Sequence, residues 1–202
     1  MNSVLFTKEL IGKSGGILIS DIIDGEQIVF LGKSNIPKRN NEYEGFGGKV
    51  EIQDLTSLHT ALREMIEEFF NIKPSINFIN DLAVKIVNSN YILHRVELFG
   101  MSYLIDLIGL EFIFTNIIEA QDIEFDSNEL IQYQTINKKF DYDKYITERK
   151  INDMPQNGLN EILSIHICKL SDIKKKNIYC LRWFTSRIIY EMLIKNRKLI
   201  KK

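Results

Sequence analysis

Residues 47–68 read GGKVEIQDLTSLHTALREMIEE, and the last six, Arg63 to Glu68, place three carboxylates within five positions of a predicted helix. At 100° per residue, Glu64, Glu67 and Glu68 fall inside one arc of about 100°, while Leu58, Leu62, Met65 and Phe69 group on the opposite side. One face therefore packs and the other presents negative charge. Like charges at i,i+4, such as Glu64 and Glu68, cost a helix about 0.2–0.5 kcal/mol, and carboxylates in its last turns oppose the macrodipole. A bound divalent cation removes both penalties. Oxygen ligands without a companion His or Cys suit Mg2+ or Mn2+ better than zinc. Taken alone, the same E-x-x-E-E also describes a solvated acidic helix face.

The context upstream favours the metal. Gly47-Gly48 follows the segment NEYEGF at 41–46 and precedes Lys49-Val50-Glu51, which predicts a glycine turn where a strand hands over to a helix. Glycine there lets main chain approach a metal or a phosphate closely.

Together these residues resemble the Nudix hydrolase family, whose box is written G-x5-E-x7-R-E-U-x-E-E-x-G-U, with U a bulky aliphatic residue. Gly48 fits the first glycine, Asp54 stands where the first glutamate belongs, and Arg63-Glu64-Met65-Ile66-Glu67-Glu68 fits R-E-U-x-E-E without exception. Eight residues, rather than seven, separate Asp54 from Arg63. Phe70 replaces the late glycine, and Asn71 falls where an aliphatic residue is expected, with Ile72 next. The first departure reads as an inserted residue in the loop before the helix, and the second as an altered helix end.

The resemblance implies an α/β/α sandwich with a mixed β-sheet. It also implies a pyrophosphohydrolase that uses Mg2+ or Mn2+ to cleave a phosphorus anhydride in a nucleoside diphosphate-linked substrate. By the same resemblance Glu64 and Glu68 ligand the metal or orient its water, Glu67 is a further ligand, and the Gly47 carbonyl completes the inner sphere. Phosphoryl transfer needs charge neutralisation and in-line positioning more than covalent help, which clustered carboxylates with a metal supply. The general base is not fixed by the box. Glu161, just before a late predicted strand, is the first distal candidate and Glu119 the second, although a lone glutamate is more often a solvated surface residue. Arg63 is expected to brace the helix by pairing with a box carboxylate. Lys33, Lys38, Arg39 and Lys49 border the site as candidate substrate-binding residues for phosphates.

The remainder of the chain fits one domain over 1–202. At 202 residues and 45% hydrophobic content it buries a full core. With 26 basic against 27 acidic residues, no overall attraction to polyanions follows. Two cysteines, Cys168 and Cys180, are too few for a disulfide framework and read as buried free thiols of a reducing compartment. No basic-then-apolar leader is visible, and the apolar stretch Phe99 to Ile118 is interrupted by Asp106 and Glu111, so it reads as core strand or buried helix. The expectation is a soluble, cytoplasmic protein without membrane partners.

Along the chain, Gly15-Gly16 opens the run Ile17-Leu18-Ile19, and Asp24-Gly25 signals a hairpin leading to Ile28-Val29-Phe30-Leu31. Residues 34–44 have turn composition. Asp54 or Thr56 is placed to cap the acidic helix, and Pro74 prevents its extension far beyond Phe70. Segments near 82–88 and 91–98 read as strands by β-branched content. Residues 120–158, with Asp122, Glu124, Asp126, Asp141 and Asp143, are polar and poorly periodic; they read as a surface insertion rather than a pocket elaboration. A strand over Glu161 to Ile167 and a final amphipathic helix carrying Leu181, Phe184, Ile188 and Met192 on one face close the domain.

Charge is unevenly spread. Lys169 to Lys202 carries 11 basic and 2 acidic residues, a charge of +9, against −10 for residues 1–168. This basic C-terminal segment, with Lys174, Lys175, Lys176, Lys195, Arg197, Lys198, Lys201 and Lys202, is suited to hold an RNA backbone, or is a solvated helix end with cations at its C-terminus. Two functions from different classes remain. One is a metal-dependent hydrolase, with mRNA decapping as a special case; the other is a non-catalytic Nudix-fold module binding nucleotide or RNA. The box does not select the substrate, and the oligomeric state is not legible.

Overall fold

The computed structural model describes residues 14–39, 42–98, 100–120, 128–151, 153–156, 158–174 and 180–195. Among the described residues eight strands form one sheet: β1 (Ser14–Ile23), β2 (Glu26–Ser34), β3 (Glu42–Glu44), β4 (Phe46–Lys49), β5 (His94–Glu97), β6 (Met101–Ile105), β7 (Ile162–Lys169) and β8 (Cys180–Leu181). The helices are α1 (Ser57–Met65), α2 (Ile76–Asn88), α3 (Leu107–Glu119), α4 (Asn128–Ile131), α5 (Tyr142–Glu148), α6 (Leu170–Lys174) and α7 (Trp183–Ile189). The hairpin expected at Asp24-Gly25 joins β1 to β2. Both residues have positive φ, 51° and 76°, as a two-residue loop between right-twisted strands requires.

The sheet is mixed. β1 runs antiparallel to β2 and β4 and parallel to β6; β7 is antiparallel to β2, and β8 parallel to β3. Alternation along β1 and β2 makes the sheet two-faced. Ile17, Ile19, Ile28 and Phe30 turn to one side, where they pack with Leu62 of α1, Leu82 of α2 and Phe114 of α3. Leu18, Val29 and Leu31 turn to the other, against Ile189, Met192 and Leu193 of the C-terminal helix. Helices thus cover both faces, which is the α/β/α sandwich expected.

Several local expectations are corrected. Residues 82–88 are not a strand: they end α2, whose N-cap Ser75 accepts from the Phe78 amide at 3.2 Å. Ile79, Leu82, Ala83 and Ile86 recur at helical spacing and are buried, so tertiary packing overrides their β-branched neighbours. Only His94–Glu97 of the second segment is strand. The stretch after residue 99 divides into β6 and α3. The turn-like segment 34–44 contains a short 3-10 helix, Pro37–Arg39, and β3. Cys168 is buried, but Cys180 is exposed.

The polar segment is more than a surface insertion in its described part. Phe140 and Tyr145 are buried, and Tyr145 stacks on Phe69 at 5.7 Å and donates its hydroxyl to the Phe69 carbonyl at 2.6 Å. Burial pushes the Tyr145 phenol up to about 12. Asp122, Glu124 and Asp126 lie outside the described residues, as do Lys175, Lys176, Arg197, Lys198, Lys201 and Lys202. Leu181 lies in β8 rather than on the terminal helix, which continues past α7 as a π-helical segment, Tyr190–Lys195. Among the described residues no helix is long and apolar enough to cross a membrane.

Candidate active site

The acidic helix begins where Thr56 accepts from the His59 amide at 3.3 Å, so Thr56 rather than Asp54 is its cap. Asp54 has another task. It accepts from the Glu51 amide (2.9 Å), the Thr60 hydroxyl (3.0 Å) and two nitrogens of Arg63, Nε at 3.1 Å and Nη2 at 2.9 Å. Burial works against its charge, but these donors and the guanidinium hold its carboxyl below the usual range. Arg63 also donates to Glu67 Oε2 at 3.0 Å and to the Lys49 carbonyl at 3.0 Å, and it lies 3.0 Å from Glu64. The bracing role expected of Arg63 is what the structure shows, with loop and helix joined through one buried guanidinium.

After Met65 the chain winds wider. Ile66–Phe70 form a π turn, and Asn71 ends it in the left-handed region at φ 57°, its amide bonded to the Ile66 carbonyl. This explains both late departures from the box. The wider turn takes up one additional residue, so the left-handed end that glycine serves in the pattern moves from position 70 to 71. Asparagine tolerates that conformation better than most residues. Ile72 is then the buried aliphatic that follows.

Glycines 47 and 48 do not form the expected turn. They lie inside β4, opposite Gly16 and Gly15 of β1, and the loop begins only after Lys49. Their smallness serves contact. A Cβ on Gly48 would come within 2.4 Å of the Glu64 carboxyl, and one on Gly15 would strike the Ser57 carbonyl and come within 2.9 Å of the Ala61 nitrogen in α1. The helix is thereby pressed onto the strand.

The three box glutamates part company. Glu68 accepts from the Gly47 amide at 2.7 Å, and Glu64 rests over Gly48. Glu67 turns instead to Arg63 and lines a cavity of about 30 Å³ with Asp54, His59 and Lys73. Burial raises the Glu64 carboxyl to about 7 against the opposing pull of Arg63. Burial likewise raises Glu67 to about 7, again against Arg63. Glu68 is pushed well above the carboxylate range by burial, then by Glu44 and Glu64 nearby.

Glu64, Glu68, Gly47 and Gly48 line one end of a cavity of about 490 Å³, and Glu161 reaches the same cavity from the residue before β7. The Glu161 carbonyl accepts from the Asn35 amide at 2.7 Å. Arg149, past the end of α5, donates to the carbonyls of Glu68 (2.9 Å) and Ile162 (2.7 Å), tying the π turn to the strand that follows Glu161. Of the expected cations, Arg39 and Lys49 line the cavity and Lys33 and Lys38 do not; nor does Glu119, the second candidate base. Lys33 sits on β2 opposite Tyr43 and Ser164, where its charge, after burial, helps lower His166. Glu119 is exposed at the end of α3.

The sequence reading missed Arg182, Trp183 and Phe184, which line the same cavity. A signal was present: the chain's one tryptophan stands between an arginine and a phenylalanine inside the basic segment.

Among the described residues no three His, Cys, Asp or Glu side chains form a closed metal cage. The donor set at the acidic end still fits a hard cation. Mg2+ commonly takes one or two carboxylates and completes its shell with water and substrate phosphates. Carboxylates whose charge is disfavoured by burial and by one another, as Glu64 and Glu68 are, gain most from such an ion.

No family model matches the chain, and no curated protein matches it in sequence. Among solved structures it is similar to a MutT/Nudix family protein from Enterococcus faecalis, at 12% identity and TM-score 0.44, over 95% of this chain and 64% of that one. This chain thus spans less than two thirds of that protein's length. It is also similar to the Nudix domain of Shewanella oneidensis NrtR in complex with ADP ribose, at 12% identity and TM-score 0.43, over 98% and 94% of the two chains. A third similar structure is a C. elegans Ap4A hydrolase, at 12% identity and TM-score 0.37, over 94% and 93%. The chemistry of this chain has to be read from its own residues.

Proposed function

We propose that this chain is a Mg2+- or Mn2+-dependent pyrophosphohydrolase of the Nudix type, cleaving the diphosphate linkage of a nucleoside diphosphate-linked substrate. One observation carries the reading: Glu64, Glu68 and Glu161 reach one end of a single cavity, against the glycine strand Gly47-Gly48. A bound divalent ion supplies charge neutralisation on the diphosphate and lowers the pKa of a water molecule. Glu64 and Glu68 hold that ion, with the Gly47 carbonyl as a further ligand. Glu161, which shares the cavity but is outside the box, accepts the proton of the attacking water on its carboxylate oxygen. Arg39 and Lys49 meet the phosphates. Glu67 contributes from behind, by keeping Arg63 locked across the loop and helix.

The test is hydrolysis with Mg2+ or Mn2+ of nucleoside triphosphates, dinucleotides, nucleotide sugars and capped RNA, with products separated and identified. Capped RNA belongs in the panel because of the +9 charge of residues 169–202. A phosphoric anhydride is expected to break, and Glu68→Gln is expected to lower turnover by orders of magnitude with the circular dichroism unchanged. Turnover equal to the parent in that variant removes the box from the chemistry. Saturable nucleotide binding with no hydrolysis under either ion would make the chain a binding module.

A further inference from the structure

The cavity is larger than its acidic end. At about 490 Å³ it falls in the range of pockets that take whole small ligands, whereas Glu64, Glu68, Glu161 and the two glycines occupy one side of it. From that side a chain of contacts leads away. Glu44, whose charge acts on Glu68, is buried and pairs with both Arg39 (3.9 Å) and Arg182. Arg182 lies over the ring of Phe184 at 4.3 Å, and Phe184 meets Trp183 edge to face at 6.4 Å. Acid, guanidinium and aromatic groups therefore follow one another in space.

The aromatic pair is firmly mounted. The Arg182 amide donates to the Tyr43 carbonyl at 3.0 Å, next to the β3–β8 pairing. Thr185, 1% exposed, accepts from the Gly45 amide at 3.4 Å. Trp183 and Phe184 sit between these two anchors, and Gly45, bonded at the second, directly precedes the strand that carries Gly47. Yet Trp183 is 67% exposed while lining the cavity. An indole held on a fixed support with most of its surface open offers a flat apolar platform.

We infer that Trp183, backed by Phe184 and Arg182, stacks against the nucleobase of the substrate, with Arg39 and Arg182 on its phosphates and the scissile anhydride at Glu64 and Glu68. The order of these contacts, from carboxylates through guanidinium to aromatic rings, matches the order of groups along a nucleoside diphosphate from anhydride to base. This rests on the proposed hydrolase only for the position of the anhydride; base recognition has its own readout. Stacking accepts any base face, so the site selects for the presence of a base more strongly than for its identity.

The chain's single tryptophan makes the test direct. The full-length protein, with Mg2+, is titrated with ADP, with inorganic pyrophosphate and with ribose 5-phosphate, while tryptophan emission is followed and binding is measured in parallel by calorimetry. ADP is expected to quench the emission saturably, with a midpoint equal to its calorimetric Kd; the two base-free probes are expected to leave it unchanged. Trp183→Leu is expected to weaken ADP roughly tenfold or more and to leave pyrophosphate affinity as it was, and Trp183→Phe to recover most of the loss. The inference is overturned if ADP binds by calorimetry without quenching, if pyrophosphate quenches equally, if Trp183→Leu binds ADP like the parent, or if ADP does not bind. Quenching by ADP in a protein that hydrolyses nothing would sink the hydrolase and keep the platform; the reverse result would do the opposite.

Discussion

The acidic end of the cavity comes almost entirely from the 22 consecutive residues Gly47 to Glu68, with Glu161 added, whereas the end that carries Trp183 is tied to it through Glu44 and Arg182, 138 positions apart. Each end holds an arginine against carboxylates, but the surroundings differ. The Arg63 side chain is 6% exposed and its partners Asp54 and Glu67 are each 3% exposed; the Arg182 side chain is 22% exposed and shares Glu44 with Arg39. The first is a buried lock in which one guanidinium answers Asp54, Glu64 and Glu67 together, with Lys73 also acting on Glu67. The second is a partly wet bridge with a second cation at hand. Where a charge pair is buried, losing one member strands the other, and that cost sets the stability of the end it belongs to.

The sharpest way to break the comparison is to remove each arginine. Arg63→Met is expected to cost about 3–5 kcal/mol in urea unfolding, since Asp54 is left buried without its guanidinium and Glu67 keeps only the charge of Lys73. A loss below about 1 kcal/mol would show that Arg63 does not lock the acidic end.

A smaller effect follows from pH. Glu64 and Glu67 are raised from 4.5 to about 7 in the folded chain. Stability from their protonated forms is therefore complete below pH 4.5 and lost as pH rises through about 7. In metal-free protein the thermal midpoint is expected to fall by on the order of 5 °C between pH 5 and pH 8. Added Mg2+ should reduce that fall, because it binds the ionised carboxylates. A midpoint that is flat or rises with pH in the absence of metal would contradict this account of the acidic end.

The smallest change is expected at the other end, where Arg182→Met should cost about 1 kcal/mol, because Arg39 remains beside Glu44 and water reaches the pair. Equal losses in Arg63→Met and Arg182→Met would erase the distinction between the two ends.

The same contrast explains what could be read from the sequence. Arg63, Glu64, Glu67 and Glu68 stand on one helix, so periodicity alone brought them together, and Thr56, the Asp24-Gly25 turn and the strand after Glu161 carried equally local signals. Glu67 and Glu68 are adjacent, and no count of residues shows that a π turn and Arg63 send one behind the helix and the other into the cavity. α2 was hidden by its β-branched residues, although Ile79, Leu82, Ala83 and Ile86 had helical spacing. Arg149 and Arg182 matter through partners 81 and 138 positions away, Glu68 and Glu44, which only the folded chain supplies.

A pattern of fixed spacing counts residues, while a folded chain counts turns and contacts. The residue added before α1 lengthens a loop that Asp54 and Arg63 close in any case, through paired bonds between their side chains. The residue added after Met65 is taken up by winding, before Asn71 stops the helix. Both lie where the backbone has slack, and neither separates Glu64 from Gly48 or Glu68 from Gly47. Length can therefore drift at the margins of such a site while its interior stays constant, and kinship between chains of this kind is better traced through which side chains meet than through how many residues lie between them.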